Sequence, residues 1–137
     1  MGTNTVIENK HFTLWYHTES KIIRHCFHKF LHGEPFRECL LAGVELISLY
    51  GAQKWLSDDR NNAAIPMEDL EWSTTVWRPK AIEAGWRHWA LVLPKSVTGQ
   101  MSLRDILDKF YGDSPVTYGL FNEPEIAMEW LEGRELV

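Results

Sequence analysis

The chain has 137 residues, with 14 Lys and Arg against 19 Asp and Glu and a formal net charge of −5; that length argues for one domain spanning residues 1–137. Hydrophobic residues make up 45% and charged residues 24%, which excludes a disordered, collagenous or coiled-coil chain. Seven tryptophans are the one departure from an average composition.

In chain order, His11 to His17 alternates Phe12, Leu14 and Tyr16 against His11, Thr13, Trp15 and His17, the period of a strand. After the polar break Thr18 to Lys21, the stretch Ile22 to Leu31 is again rich in β-branched and aromatic residues. Two such runs this close predict an antiparallel hairpin. Gly33-Glu34-Pro35 opens a helix, since proline suits the first turn; Phe36, Leu40, Val44 and Ile47 carry its apolar face and Gly51 stops it. Lys54 to Ser57 predicts a short strand and Asp58 to Asn62 a polar loop.

A second helix is expected from Pro66 to about Ala84, with a kink or a break at Pro79, which lacks a backbone donor and clashes with the preceding turn. Trp86 to Leu93 is the clearest buried strand, closed by Pro94. Ser102-Leu103-Arg104-Asp105 has the form of a capping signal for a third helix carrying Leu103, Ile106, Leu107 and Phe110, stopped by Gly112. Val116 to Phe121 is a last strand, and Asn122 caps a final helix with Pro124 in its first turn.

The order is therefore β-β-α-β-α-β-α-β-α. It predicts an α/β protein with a single mixed, largely parallel sheet that begins with an N-terminal β-hairpin.

No apolar segment opens the chain in the manner of a signal peptide, and no apolar run approaches the ~18–20 residues of a membrane span. Cys26 and Cys39 form no CxxC pair and read as reduced, buried thiols. A cytoplasmic protein is the expectation. Residues 34–137 carry ten Lys and Arg against seventeen Asp and Glu, net −7. With no basic stripe to neutralise phosphates, nucleic acid is not an expected partner.

A β-hairpin leading into alternating helices and strands is similar to the STAS family of anti-sigma-factor antagonists and their bacterial relatives. Four stretches carry the resemblance: Gly33 to Arg37, Lys54 to Asp58, Trp77-Arg78-Pro79 through Gly85-Trp86, and the closing Phe121 to Leu131, with its Ala-x-x-Trp-Leu ending. The resemblance covers nearly the whole chain and implies a non-enzymatic signalling or interaction module of the bacterial cytoplasm. In the antagonists, a serine in an Asp-Ser-Ser-Gly turn at a helix start is phosphorylated by a partner kinase. This chain departs from that pattern: its nearest element, Ser57-Asp58-Asp59-Arg60, has one serine, two acids and no glycine. A phosphate there would be repelled by both carboxylates unless Arg60 offsets them.

Three groups of residues are candidates for chemistry, one of them on two counts. The loop Ser57, Asp58, Asp59, Arg60 leaves the carboxyl end of a strand, where ligands collect in parallel sheets. Its acids suit either a divalent cation or a solvated turn. His25, His28 and His32 would share a face, and suit zinc, only on a helix; on the predicted strand His25 and His28 point to opposite faces, so no metal is expected. The same histidines are candidates for pH sensing.

Trp55, Trp89 and Trp130 fit core positions, whereas Trp72, Trp77 and Trp86, with Arg78 and Arg87 adjacent, converge on the proline-interrupted helix. They read either as an exposed binding surface or as packing. No hydrolase elbow, phosphate loop, dinucleotide fingerprint or zinc-protease motif occurs. The expectation is a module without enzymatic activity or cofactor that binds another protein or a second copy of itself. Its surface combines Ser57 to Arg60 with Trp72, Trp77, Arg78 and Trp86. The alternative is a small-molecule site walled by the three tryptophans.

Overall fold

The computed structural model describes residues 2–137. Six strands form one mixed sheet: β1 (Thr3–Glu8), β2 (Phe12–His17), β3 (Ile22–Phe27), β4 (Lys54–Asp58), β5 (His88–Val92) and β6 (Thr117–Phe121). They lie side by side in chain order. β1, β2 and β3 pair antiparallel, and β3 through β6 pair parallel. The helices are α1 (Glu34–Tyr50), α2 (Met67–Trp72), α3 (Arg78–Ala84), α4 (Val97–Phe110) and α5 (Pro124–Glu132), with a π-helical turn, Ser73–Trp77, joining α2 to α3.

Because each parallel crossover steps one strand in the same direction, crossovers of one hand must lie on one face of the sheet. Residues of α1, α3 and α4 accordingly share a core with Phe12, Leu14, Ile23, Phe27, Trp55 and Leu91. α5 follows the last strand and seals a smaller core on the opposite face, with Ala127 and Leu131 against Ile22, Leu56, Ala90 and Val92. Register decides which side chains meet. Ile23, Trp55, Trp89 and Tyr118 form one row on the three-helix face, and His25, Ser57, Leu91 and Leu120 form the next.

The predicted hairpin, the alternation after it and the mixed sheet are present, with four corrections. The chain opens with an additional strand: β1 is exposed along nearly its whole length, so its sequence lacks the alternation of a half-buried strand. The strand expected to reach Leu31 ends at Phe27. There Asn61 Nδ2 donates to the Phe27 carbonyl and the Leu31 N–H donates to Asn62 Oδ1, drawing the chain off the sheet. α4 starts at Val97, well before Ser102, because Ser96 caps it by accepting the Gly99 N–H. α5 is preceded by Glu123 in the cap position, without a side-chain cap, so Asn122 lies outside it.

The break expected at Pro79 takes a specific form. Proline cannot donate to the carbonyl four residues back. The Arg78 N–H instead reaches five residues back to the Ser73 carbonyl, and the chain stays helical from Met67 to Ala84 through the π turn.

Candidate functional site

β3 and β4 deliver the polar residues of the carboxyl end. On the three-helix face, Trp55 Nε1 donates to His25 Nδ1 at 3.0 Å. That leaves the ring proton on Nε2, which donates to Asp59 Oδ1, also at 3.0 Å. The Phe27 ring stacks on the imidazole at 4.2 Å. His25 is buried, with both nitrogens engaged and one ring face covered. Its lateral neighbour Ser57 accepts from Trp89 Nε1 at 2.9 Å. A serine, a histidine and an aspartate thus lie close together, but the imidazole has no free lone pair with which to take a proton from Ser57, so the set is not wired as a nucleophile and base.

Asp58 and Asp59 do not converge on a cation. The pleat sends Asp58 to the opposite face, where Arg60 Nε and Nη2 bind its two oxygens at 2.9 Å each. Burial alone would raise the Asp58 pKa, but the Arg60 hydrogen bonds and charge outweigh it and hold the carboxyl below the usual range. Behind it, burial and the Asp58 carboxylate push the Cys26 thiol up to about 11. Ser57 lies inside β4 and is only 4% exposed, so it does not present a phosphorylatable turn.

His25, His28 and His32 are dispersed as well. His28 Nε2 bonds Thr13 Oγ1 at 2.8 Å, and Thr13 alternates to the face away from His25. His32 is exposed and lies beside Phe30. No group of three His, Cys, Asp or Glu among the described residues is placed to hold a metal ion.

The tryptophans divide four to three. Trp77 and Trp86 are buried and join Trp55 and Trp89 in an edge-to-face cluster: Trp55–Trp77 at 5.4 Å, Trp77–Trp86 at 5.0 Å and Trp86–Trp89 at 5.1 Å. Trp77 Nε1 also donates to the Leu40 carbonyl at 2.7 Å, pinning the π turn to α1. These two therefore belong to the core and not to an exposed surface. Trp15, Trp72 and Trp130 each carry a guanidinium over the ring, from Arg24, Arg37 and Arg134.

Arg78 is equally engaged. It lies over Tyr111 and donates to the Phe110 carbonyl at 3.0 Å, closing the end of α4. Arg87 donates to the Ile82 and Trp86 carbonyls.

The chain matches no family profile, no curated protein and no solved structure.

Between the sheet, the π turn and α4 lies a cavity of about 60 Å³, lined by His25, Ser57, Asp59, Thr74, Trp77, Trp89 and Tyr111 among others. Neither Trp72 nor Trp86 lines it. It has room for a few water molecules, well short of the ~300 Å³ at which small-molecule pockets begin.

Around this end of the sheet the remaining polar groups brace the backbone. Asp69 Oδ2 accepts the Gly33 N–H at 2.9 Å, and its other oxygen meets Arg37 Nε at 3.4 Å. Asp69 is not among the sequence's candidates, and His25 is read there only as a zinc or pH-sensing residue, not as the partner of Asp59 and Trp55. The partners of both lie thirty or more positions away, and only the helix start at Gly33 hints at a need for an acceptor at Asp69.

Proposed function

We propose that the chain is a non-enzymatic, STAS-like interaction module that binds another protein through the carboxyl end of its parallel strands. The observation that carries this reading is the engagement of its chemistry. His25, Asp58, Asp59, Arg60 and Asp69 all hold one another or the backbone, so they stiffen the loops, and none of these five is free to act as an acid, base or nucleophile.

Such bracing yields a rigid platform, and the half-buried Trp72 under Arg37 stands on it, with Met67 76% exposed at the start of α2 and Val76 exposed on the π turn. Tryptophan, arginine and methionine are the residue types enriched at protein interfaces. A mixed α/β sheet that begins with an antiparallel hairpin is in keeping with the STAS-like resemblance. The small-molecule alternative is disfavoured by the volume of the cavity.

The test is affinity capture with crosslinking from the native cell, followed by mass spectrometry. It compares the wild type with Trp72→Ala and with Leu49→Ala, a substitution at an exposed residue near the other end of α1. A protein retained by the wild type and Leu49→Ala but depleted about tenfold by Trp72→Ala, ~1.4 kcal/mol of binding, supports the reading. No specific protein, or one indifferent to Trp72, overturns it.

A further inference from the structure

The sheet has two free edges, and they are built differently. β1 is exposed, carries Glu8, and has an irregular register against β2 between Thr5 and Ile7. Charge and irregularity are the devices by which proteins keep an edge from pairing. β6 reads Thr-Tyr-Gly-Leu-Phe, with no charge, no proline and a regular register against β5. We infer that β6 is a self-association edge, at which two copies of this chain pair antiparallel about a two-fold axis through Gly119.

The backbone geometry fits. The Thr117 N–H donates to Arg87 and the Phe121 carbonyl accepts from Leu93, each at 2.9 Å, so these residues turn toward β5. By the alternation of a ladder, Gly119 does the same, while Tyr118 and Leu120 present their N–H and C=O groups outward. A two-fold at Gly119 sets Tyr118 opposite Leu120 of the second copy and Leu120 opposite its Tyr118. Each of these becomes a hydrogen-bonded pair, four backbone bonds in all. The two glycines meet as the intervening non-hydrogen-bonded pair, where the backbones come closest. Thr117 then faces Phe121 of the second copy, an aromatic and β-branched pair of the kind that stabilises sheets.

The side chains supply the apolar area that a strand alone lacks. A Cβ on Gly119 would lie 2.9 Å from the Phe121 ring and 3.3 Å from Trp130, so both rings lean over the strand at this point. Phe121 and Trp130 pack with centroids 5.6 Å apart, and Ile126, 53% exposed, stands one turn before Trp130 on α5. On the other face, Tyr118 and Leu120 are half-buried. The occupant is a second copy because the strand is its own complement. It has apolar residues on both sides of a glycine and no charge to repel its like, as an isologous interface requires.

This surface is separate from the one around Trp72, so failure here leaves that reading intact. The experiment is light scattering coupled to size exclusion at roughly 100 µM, a hundredfold above a micromolar Kd, with amide hydrogen exchange on the wild type. The expected mass is twice 16.0 kDa, with slow exchange at the Tyr118 and Leu120 amides. Leu120→Lys is expected at 16.0 kDa with an unchanged circular dichroism spectrum, and Thr5→Lys on β1 remains a dimer. A monomeric wild type overturns the inference. So does a dimer whose Tyr118 and Leu120 amides exchange as fast as an open edge, or one dissociated by Thr5→Lys.

Discussion

Asp58 and Asp59 are adjacent in sequence, yet the pleat sends them to opposite faces, where one meets Arg60 and the other His25. Asp58 is nearly inaccessible, whereas Arg60 keeps 39% of its side chain in solvent. Removing Arg60 strands a buried carboxylate, and solvent reaching the Arg60 side reduces the penalty from that of a sealed pair to about 1–3 kcal/mol. The pH dependence has a definite sign. The Asp58 pKa is lower in the folded chain than in the unfolded one. Its contribution is therefore complete above the unfolded value of about 4 and lost as pH falls through the folded value. In Arg60→Ala the guanidinium's hold is gone and burial is the largest influence left on the carboxyl. Its folded pKa rises, protonation costs the folded chain less, and the variant's stability deficit against the wild type narrows as pH falls. Urea midpoints of both proteins from neutral pH into the acid range check this; a deficit that stays constant with pH would contradict it.

A second prediction concerns Gly43. Helix propensity alone would favour Gly43→Ala by ~1 kcal/mol. A Cβ there would run into the Trp55 ring at well under van der Waals distance, however, and Trp55 is held by its bond to His25. Overpacking at that distance costs more than propensity returns, so the variant is destabilised by about 1–3 kcal/mol, measurable as a lowered urea midpoint. The polar character of residues 58–62 was legible from the sequence. The partners were not, because strand register brings together His25 and Asp59, and Trp89 and Ser57, pairs more than thirty positions apart.

The helix from Met67 to Ala84 shows how an element absorbs a proline. The π turn shifts the hydrogen-bond ladder, and the run Ser73-Thr74-Thr75 supplies hydroxyls to carbonyls of the preceding turn. Ser73 and Thr74 donate to Leu70, and Thr75 donates to Glu71. Thr74 is buried beside the cavity, while Thr75 is exposed. Thr74→Val keeps the shape but removes a buried donor, and its expected cost is about 1–2 kcal/mol. Thr75→Val, where water can replace the hydroxyl, is expected to cost under ~0.5 kcal/mol. Paired thermal melts distinguish the two, and equal shifts would remove the hydroxyls' role in the π turn.

Periodicity located this helix, and Pro79 marked its irregular point. What the sequence concealed was the form of the irregularity, since a longer-range hydrogen bond leaves no trace in residue spacing. Elements without a half-buried face were the ones missed. β1 has no buried row, and the first turn of α4 contains Gly99, whose Cβ would lie 2.8 Å from Pro94. The residue there is set by close packing and not by helix propensity.

At the scale of the molecule, the two cores are unequal but share one sheet. Three helical segments cover one face and α5 alone seals the other. β4 serves both, with Trp55 in the larger core and Leu56 in the smaller. The cores can therefore separate only if strand pairing breaks, which predicts a single cooperative transition. Leu131, fully buried on α5, tests the coupling. Leu131→Ala is expected to cost about 2–4 kcal/mol, which for a chain of this length lowers Tm on the order of 10 °C. In a Trp130→Phe background, which removes the tryptophan on α5, the fluorescence of the cluster Trp55, Trp77, Trp86 and Trp89 weights the signal toward the opposite face, and circular dichroism reports the whole chain. Shared strands require both signals to shift together by the same amount. Loss of helix at a temperature where the tryptophan signal is still native would show α5 to be an independent flap, and the sheet would then couple its two faces less than this topology demands.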